Sequence, residues 1–157
     1  DFIDEDLSLR DYIKEIISSF KETSNKQFIF NFERDLNSKK VTKSIEIVYG
    51  LRNFIGNANK YSNSKIFITL KSDNYVSEVT IEDDGEGYPN EILSKIGEPY
   101  LQAYKSNNKT KSGLGLGIFI GKTLLEKNFA NINCRNSKTR KGAEVVIKWQ
   151  NKDLFKI

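Results

Sequence analysis

The stretch Ile45–Tyr61, IEIVYGLRNFIGNANKY, governs how the rest of the chain is read. At about 3.6 residues per helical turn, Asn53, Asn57 and Lys60 fall within a stripe of about 60° and form one polar face. Ile47, Leu51, Phe54 and Ala58 point the opposite way, with Val48 and Ile55 at the margin. Such a helix can pack on a sheet while showing two amides and an ammonium to a ligand. An ordinary amphipathic helix with a solvated face has the same pattern. If the face is functional, the amide oxygen of Asn57 suits Mg²⁺, a hard cation that takes few protein ligands alongside phosphate oxygens. Lys60 would then be a point charge for a phosphate.

Upstream, Ser8 is placed to cap a helix with Asp11 in its first turn, and Leu9, Ile13, Ile16, Ile17 and Phe20 recur at helical spacing. From Gln27 to Glu33, Phe28, Phe30 and Phe32 alternate with Ile29 and Asn31, a strand with its aromatic residues on one side. Downstream, Lys65–Ser72 and Val76–Glu82 read as a hairpin around Ser72, Asp73 and Asn74. Ile96 to Ser112 has little periodicity and many Lys, Asn, Ser and Thr residues, the signature of a loop. A third helix is expected over Leu116–Lys127. Two strands follow, Ala130–Asn136 and Ala143–Trp149, flanking a basic turn at Lys138–Gly142. Trp149 and the phenylalanines read as core, whereas Gln150–Ile157 either frays or docks. The order implies an α+β two-layer sandwich, with a mixed, mostly antiparallel five-stranded sheet covered by about three helices.

A chain of 157 residues is read as one domain, residues 1–157. Hydrophobic residues make up 38% and charged residues 29%, with a mean hydropathy of -0.54, which excludes a membrane-embedded or disordered chain. No apolar run approaches the ~20 residues of a membrane-spanning helix. The sequence starts at Asp1 without a visible signal peptide and reads as a fragment. One cysteine, Cys134, excludes an internal disulfide and a cysteine-based zinc cage and fits a reducing compartment. Histidine, the commonest metal ligand and acid/base, is absent. A net charge of +4, spread along the chain, gives no nucleic-acid-binding stripe.

Two glycine-rich segments add to the helix. Glu82-Asp83-Asp84-Gly85-Glu86-Gly87-Tyr88-Pro89 leaves a β-run with a carboxylate, Asp83, at the strand end, able to accept a hydrogen bond from an exocyclic amine such as that of adenine. An acidic turn is the alternative. Gly113-Leu114-Gly115-Leu116-Gly117 opens a helix, where backbone N–H groups and the dipole favour phosphate. Neither a dinucleotide-binding unit nor a P-loop fits, since no βαβ unit surrounds the glycines and no Gly-Lys-Ser/Thr follows them.

In order, Asn-x-x-x-Asn-Ala-x-Lys-Tyr at Asn53–Tyr61, Asp-x-Gly-x-Gly at Asp83–Gly87 and Gly-Leu-Gly-Leu-Gly at Gly113–Gly117 resemble the N, G1 and G2 boxes of histidine-kinase catalytic domains. Glu98-Pro99-Tyr100 resembles the F box. The run through Gly-Leu-Gly-Leu-Gly is most similar to RegB/PrrB-type redox-responsive sensor kinases. The resemblance implies the Bergerat ATP-binding fold, shared with type II topoisomerases, Hsp90 chaperones and MutL proteins. It implies Mg²⁺ on Asn57 with Asn53 assisting, Lys60 and Tyr61 beside the phosphates and ribose, and Asp83 on the adenine amine. It further implies close backbone approach at Gly85 and Gly87, and phosphate contacts or a lid hinge from Gly113, Leu114, Gly115, Leu116 and Gly117. The lid would cover about 96–112, with Lys105, Lys109 and Lys111 able to reach the γ-phosphate.

Related hydrolases resemble one another in a glutamate where this chain has Asn53. An amide cannot accept a proton from water, so phosphoryl transfer to an external acceptor is expected. The implied acceptor is a histidine on a dimerisation domain that this chain lacks, so the chain alone should bind ATP without autophosphorylating. Further implications are a full-length homodimer, a response regulator downstream and a cytoplasmic placement on a bacterial inner-membrane sensor kinase, with no membrane or nucleic-acid contact by this domain. The alternatives are a GHKL-type ATPase or an anti-sigma-factor serine kinase. Ala143 departs from the threonine that usually follows glycine in the last box, which puts one adenine-side contact in doubt. Cys134, between Ile132 and Arg135 in an expected strand, reads as a packed thiol rather than a sensor.

Overall fold

The computed structural model describes residues 7–32, 40–41, 44–96 and 114–155. In chain order, the elements are α1 (Leu9–Lys21), β1 (Gln27–Phe32), α2 (Ile45–Tyr61), β2 (Lys65–Ser72), β3 (Val76–Asp83), α3 (Asn90–Lys95), α4 (Leu114–Glu126), β4 (Asn131–Asn136), β5 (Ala143–Gln150) and α5 (Asn151–Leu154). The strands form one five-stranded sheet ordered β1-β2-β3-β5-β4. Among the described strands, only β1 and β2 pair in parallel; the other three pairings are antiparallel.

Local chemistry accounts for the long helices. The Ser8 hydroxyl accepts the Asp11 N–H at 3.2 Å, and Ser44 accepts that of Ile47 at 3.3 Å, so both α1 and α2 begin on a capping serine. At the far end of α2, the Lys26 ammonium donates to the carbonyls of Asn59 (2.8 Å) and Ser62 (2.7 Å), a cation matched to the helix C-terminus. α1 buries Leu9, Tyr12, Ile13, Ile16 and Ile17, and α2 buries Ile47, Val48, Leu51, Phe54, Ile55 and Ala58. These faces meet the inward rows of the sheet, among them Ile66, Ile68 and Leu70 of β2, Val79 and Ile81 of β3, and Val145, Ile147 and Trp149 of β5.

Helices α2 and α4 pack closely because glycines face side chains. A Cβ at Gly121 would lie 2.7 Å from the Phe54 ring, and one at Gly50 would lie 2.5 Å from Leu125 Cγ. The opposite face of the sheet is polar, carrying Thr69, Thr80, Asn133 and ion pairs such as Arg135–Glu144 at 3.0 Å.

Several expectations are adjusted. Helix α4 begins at Leu114 rather than Leu116, and the short helices α3 and α5 were not foreseen. The end of the chain docks as far as the described residues go: Leu154 is buried, and Phe155 bridges to Val41. Phe28 and Phe54 are core, but Phe32 and Phe129 are exposed. Phe32 lies under the cations of Arg10 and Lys14, 5.5 and 5.1 Å from its ring centre.

Candidate functional site

Asp83 occupies an inward position of β3, continuing the row Val79, Ile81 to the end of the sheet, and is 4% exposed. Its Oδ1 accepts the N–H of Gly85 at 2.8 Å and that of Ala143 at 3.3 Å. Side chains at Gly85 and Gly142 would collide with the Tyr61 carbonyl and the Asp83 backbone, so glycine is needed where three segments converge on this carboxylate. Burial pushes the Asp83 pKa up, and the Gly85 and Ala143 N–H groups oppose that push. Oδ1 is fully engaged, whereas Oδ2 has no partner among the described residues.

Above Asp83, a cleft of about 170 Å³ opens between α2 and the loop after β3. Phe54, Ala58, Ile81, Tyr88 and Val145 give it apolar walls; Asn57, Tyr61, Asp83 and Glu86 supply its polar edge. A flat heterocycle fits such a lining, with one carboxylate to read an edge. Asn57 contributes a buried Nδ2 that has no hydrogen-bond partner among the described residues. A Cβ at Gly117 would lie 2.7 Å from Asn57 Oδ1, so α4 presses its glycine against this amide.

The loop wall is held at several points. Gly87 adopts a φ of +83°, the left-handed region that favours glycine. The Asn136 side chain accepts the Tyr88 N–H at 2.6 Å and donates to the Tyr88 carbonyl at 3.2 Å. The Tyr88 hydroxyl donates to Cys134. Burial pushes the Cys134 thiol up to about 11, with the Tyr88 bond opposing, so the thiol is held protonated and packed.

Over residues 42–153 the sequence matches the family of histidine kinase-, DNA gyrase B-, and HSP90-like ATPases. The chain belongs to this ATPase family. Sensor histidine kinase RegB of Cereibacter sphaeroides is 36% identical over 97 residues, 59% of this chain and 21% of RegB. Sensor histidine kinase CssS of Bacillus subtilis is 36% identical over 90 residues, 57% of this chain and 18% of CssS. The chain thus spans about a fifth of the length of these curated relatives. Its fold is that of histidine-kinase catalytic domains: ThkA superposes with a TM-score of 0.73 at 23% identity, covering 93% of this chain and 96% of that one. Mycobacterial MprB superposes at 0.69 with 18% identity and the same coverage.

In this ATPase domain, Asn57, Tyr61, Asp83 and Gly87 meet in one cleft, with Gly85 behind it and Gly117 against Asn57. A Cβ at Gly115 would lie 3.7 Å from Ile92 Cδ1 of α3. Asn53 lies outside the lining, its Nδ2 donating to the Tyr49 carbonyl at 2.8 Å. Lys60 is exposed, its ammonium 5.3 Å from the Tyr61 ring centre, and Leu116 is 38% exposed. Gly113, the F-box residues Glu98, Pro99 and Tyr100, and Lys105, Lys109 and Lys111 lie outside the described residues, as does the side chain of Leu114. The apolar walls and Asn136 were not foreseen; the one local signal was Tyr88-Pro89 directly after the glycines.

Proposed function

We propose that this domain binds ATP with Mg²⁺ in the cleft and donates the γ-phosphoryl group to a histidine carried elsewhere in a longer sensor kinase. The observation that supports this best is that Asn57 from the helical layer and Asp83 from the sheet line the same cavity. Asp83 Oδ2 would accept from the adenine amine, a charge-assisted bond sheltered from water. The apolar walls would sandwich the base, and Asn57 would lie toward the phosphates.

The donor set suits Mg²⁺. Among the described residues, no cluster of three or more His, Cys, Asp or Glu side chains forms a cage. A cation here would therefore take most of its ligands from phosphate and water, with the amide oxygen of Asn57, a residue of the cleft lining, completing the set. When bound, Mg²⁺ neutralises charge on the transferring phosphoryl group. Asn53 brings an amide that cannot take a proton from water, which favours transfer over hydrolysis. Lys60, exposed beside the cleft, and the lysines at 105, 109 and 111 are proposed to meet the phosphate tail.

The RegB and CssS likeness supports a phosphoacceptor domain and a response regulator as partners, acting within a homodimer. No helix among the described residues is long and apolar enough to cross a membrane. We place the domain on the cytoplasmic side of a bacterial inner-membrane kinase, as one catalytic unit over residues 1–157. The test is calorimetric titration with ADP and ATP, with and without magnesium. Heat of binding that strengthens with magnesium is expected, and no heat with either nucleotide would overturn the reading. Incubated alone with labelled ATP, a chain without histidine should acquire no acid-labile phosphate.

A further inference from the structure

We propose that Asn136 is a positioning residue of the cleft, its side-chain amide clamping the loop that forms the base-facing wall. The inference rests on the nucleotide reading of that cleft. Asn136 is the last residue of β4, an edge strand, and pairs with Ala143 of β5. Its amide makes two bonds to the main chain of one residue: Oδ1 accepts the Tyr88 N–H at 2.6 Å, and Nδ2 donates to the Tyr88 carbonyl at 3.2 Å.

Three further contacts make this more than a surface bond. Gly87, with its positive φ, lies so close that a Cβ there would come within 2.7 Å of Asn136 Oδ1. Two residues back on the same face of β4, Cys134 accepts the Tyr88 hydroxyl, so one strand holds Tyr88 by its backbone and by its ring. Across the hairpin, Ala143, the residue paired with Asn136, donates its N–H to Asp83. The mouth of the β4–β5 hairpin thus fixes both ends of Asp83–Tyr88: Ala143 sets the carboxylate and Asn136 sets the wall. Six residues that include two glycines have little stiffness of their own, and an external clamp supplies it. Asn136 itself is exposed, so replacing it removes no core packing.

The experiment compares wild type, Asn136→Ala and Asn136→Asp by calorimetry with Mg-ADP, by melting temperature without ligand and by hydrogen exchange of the Tyr88 amide. Asn133→Ala, on the opposite face of β4, is the control. Loss of two such bonds predicts a roughly tenfold rise in the ADP Kd for Asn136→Ala, with faster Tyr88 exchange and unchanged protection in β3. Asn136→Asp keeps the acceptor for the shorter bond and should recover part of the affinity. The proposal is overturned if Asn136→Ala binds ADP as wild type does, or if Asn136→Asp loses as much affinity as Asn136→Ala. Absence of ADP binding by the wild type would overturn the nucleotide reading itself, whereas wild-type binding with an indifferent Asn136→Ala overturns only the clamp.

Discussion

Asp83 and Ala143 are joined by a hydrogen bond in which the Ala143 backbone N–H donates to Asp83 Oδ1 at 3.3 Å. The alanine that departs from the usual threonine therefore still holds the carboxylate through its main chain. Because Gly85 donates to the same oxygen, Oδ2 alone is left to face a ligand.

Asp83→Asn separates stability from binding. Burial raises the folded pKa of Asp83, so its ionisation works against the fold. With a folded pKa above the unfolded one, this destabilisation is absent below the unfolded value near 3.8 and develops as pH rises through the folded pKa. Without ligand, Asp83→Asn should be at least as stable as wild type at pH 7, and the two should converge at low pH. ADP affinity should fall roughly ten- to hundredfold, as expected for a lost charge-assisted bond. Urea melts across pH and calorimetry check the two halves; unchanged ADP affinity would contradict the role of Asp83.

Asp84 has the opposite sign. Its Oδ1 accepts the N–H groups of Asn63, Ser64 and Lys65 at 2.9, 3.0 and 3.1 Å, and the Ser64 hydroxyl donates to Oδ2 at 2.9 Å. Burial works against the charge, yet the bonds from Ser64, Lys65 and Asn63 prevail and hold the pKa at about 2. This stabilisation is fully present above the ordinary value of 3.8 and is lost as pH falls toward about 2. Solvent screens the site, so Asp84→Asn should cost only ~1 kcal/mol at pH 7. Its deficit in urea melts should vanish by about pH 2.

Phe129 stands where helix α4 ends in a left-handed turn. Its φ is +68°, and the Ala130 N–H reaches back to the Leu125 carbonyl at 3.1 Å. The side chain is 71% exposed, so little burial would be lost with it. Phe129→Gly should raise unfolding stability by about 1 kcal/mol, because glycine alone takes this conformation without steric cost. A destabilised variant would show that the ring makes a contact of value.

Gly117→Ala should act through Asn57, whose amide fills the space that a methyl group would need. Because Asn57 is assigned to the metal, the loss of ADP affinity should be larger with magnesium present than with chelator, by about tenfold. Equal losses in both conditions would remove Asn57 from the metal site.

The sequence reveals those parts whose signals are local and periodic. Helix α2 carries a serine cap and a continuous apolar stripe, and β2 and β3 alternate strictly, so the elements bearing Asn57 and Asp83 are legible. Helix α3 has six residues, no side-chain cap bond and a single buried residue, Ile92, too little pattern to stand out. The 60° stripe on α2 groups Asn53, Asn57 and Lys60, but only Asn57 lines the cleft, because Gly117 of α4 and the β3 loop converge on its side alone. Asn136 is illegible for a related reason: its partner is 48 residues away, and nothing in Arg135-Asn136-Ser137 announces it.

A crystal structure of the domain with ADP and magnesium tests the central claim most directly. The account predicts the adenine amine within hydrogen-bonding distance of Asp83 Oδ2, the base between Ala58 and the Tyr88 wall, and the phosphates toward Asn57. Nucleotide bound elsewhere, or a base in this cleft with its amine turned away from Asp83, would contradict it.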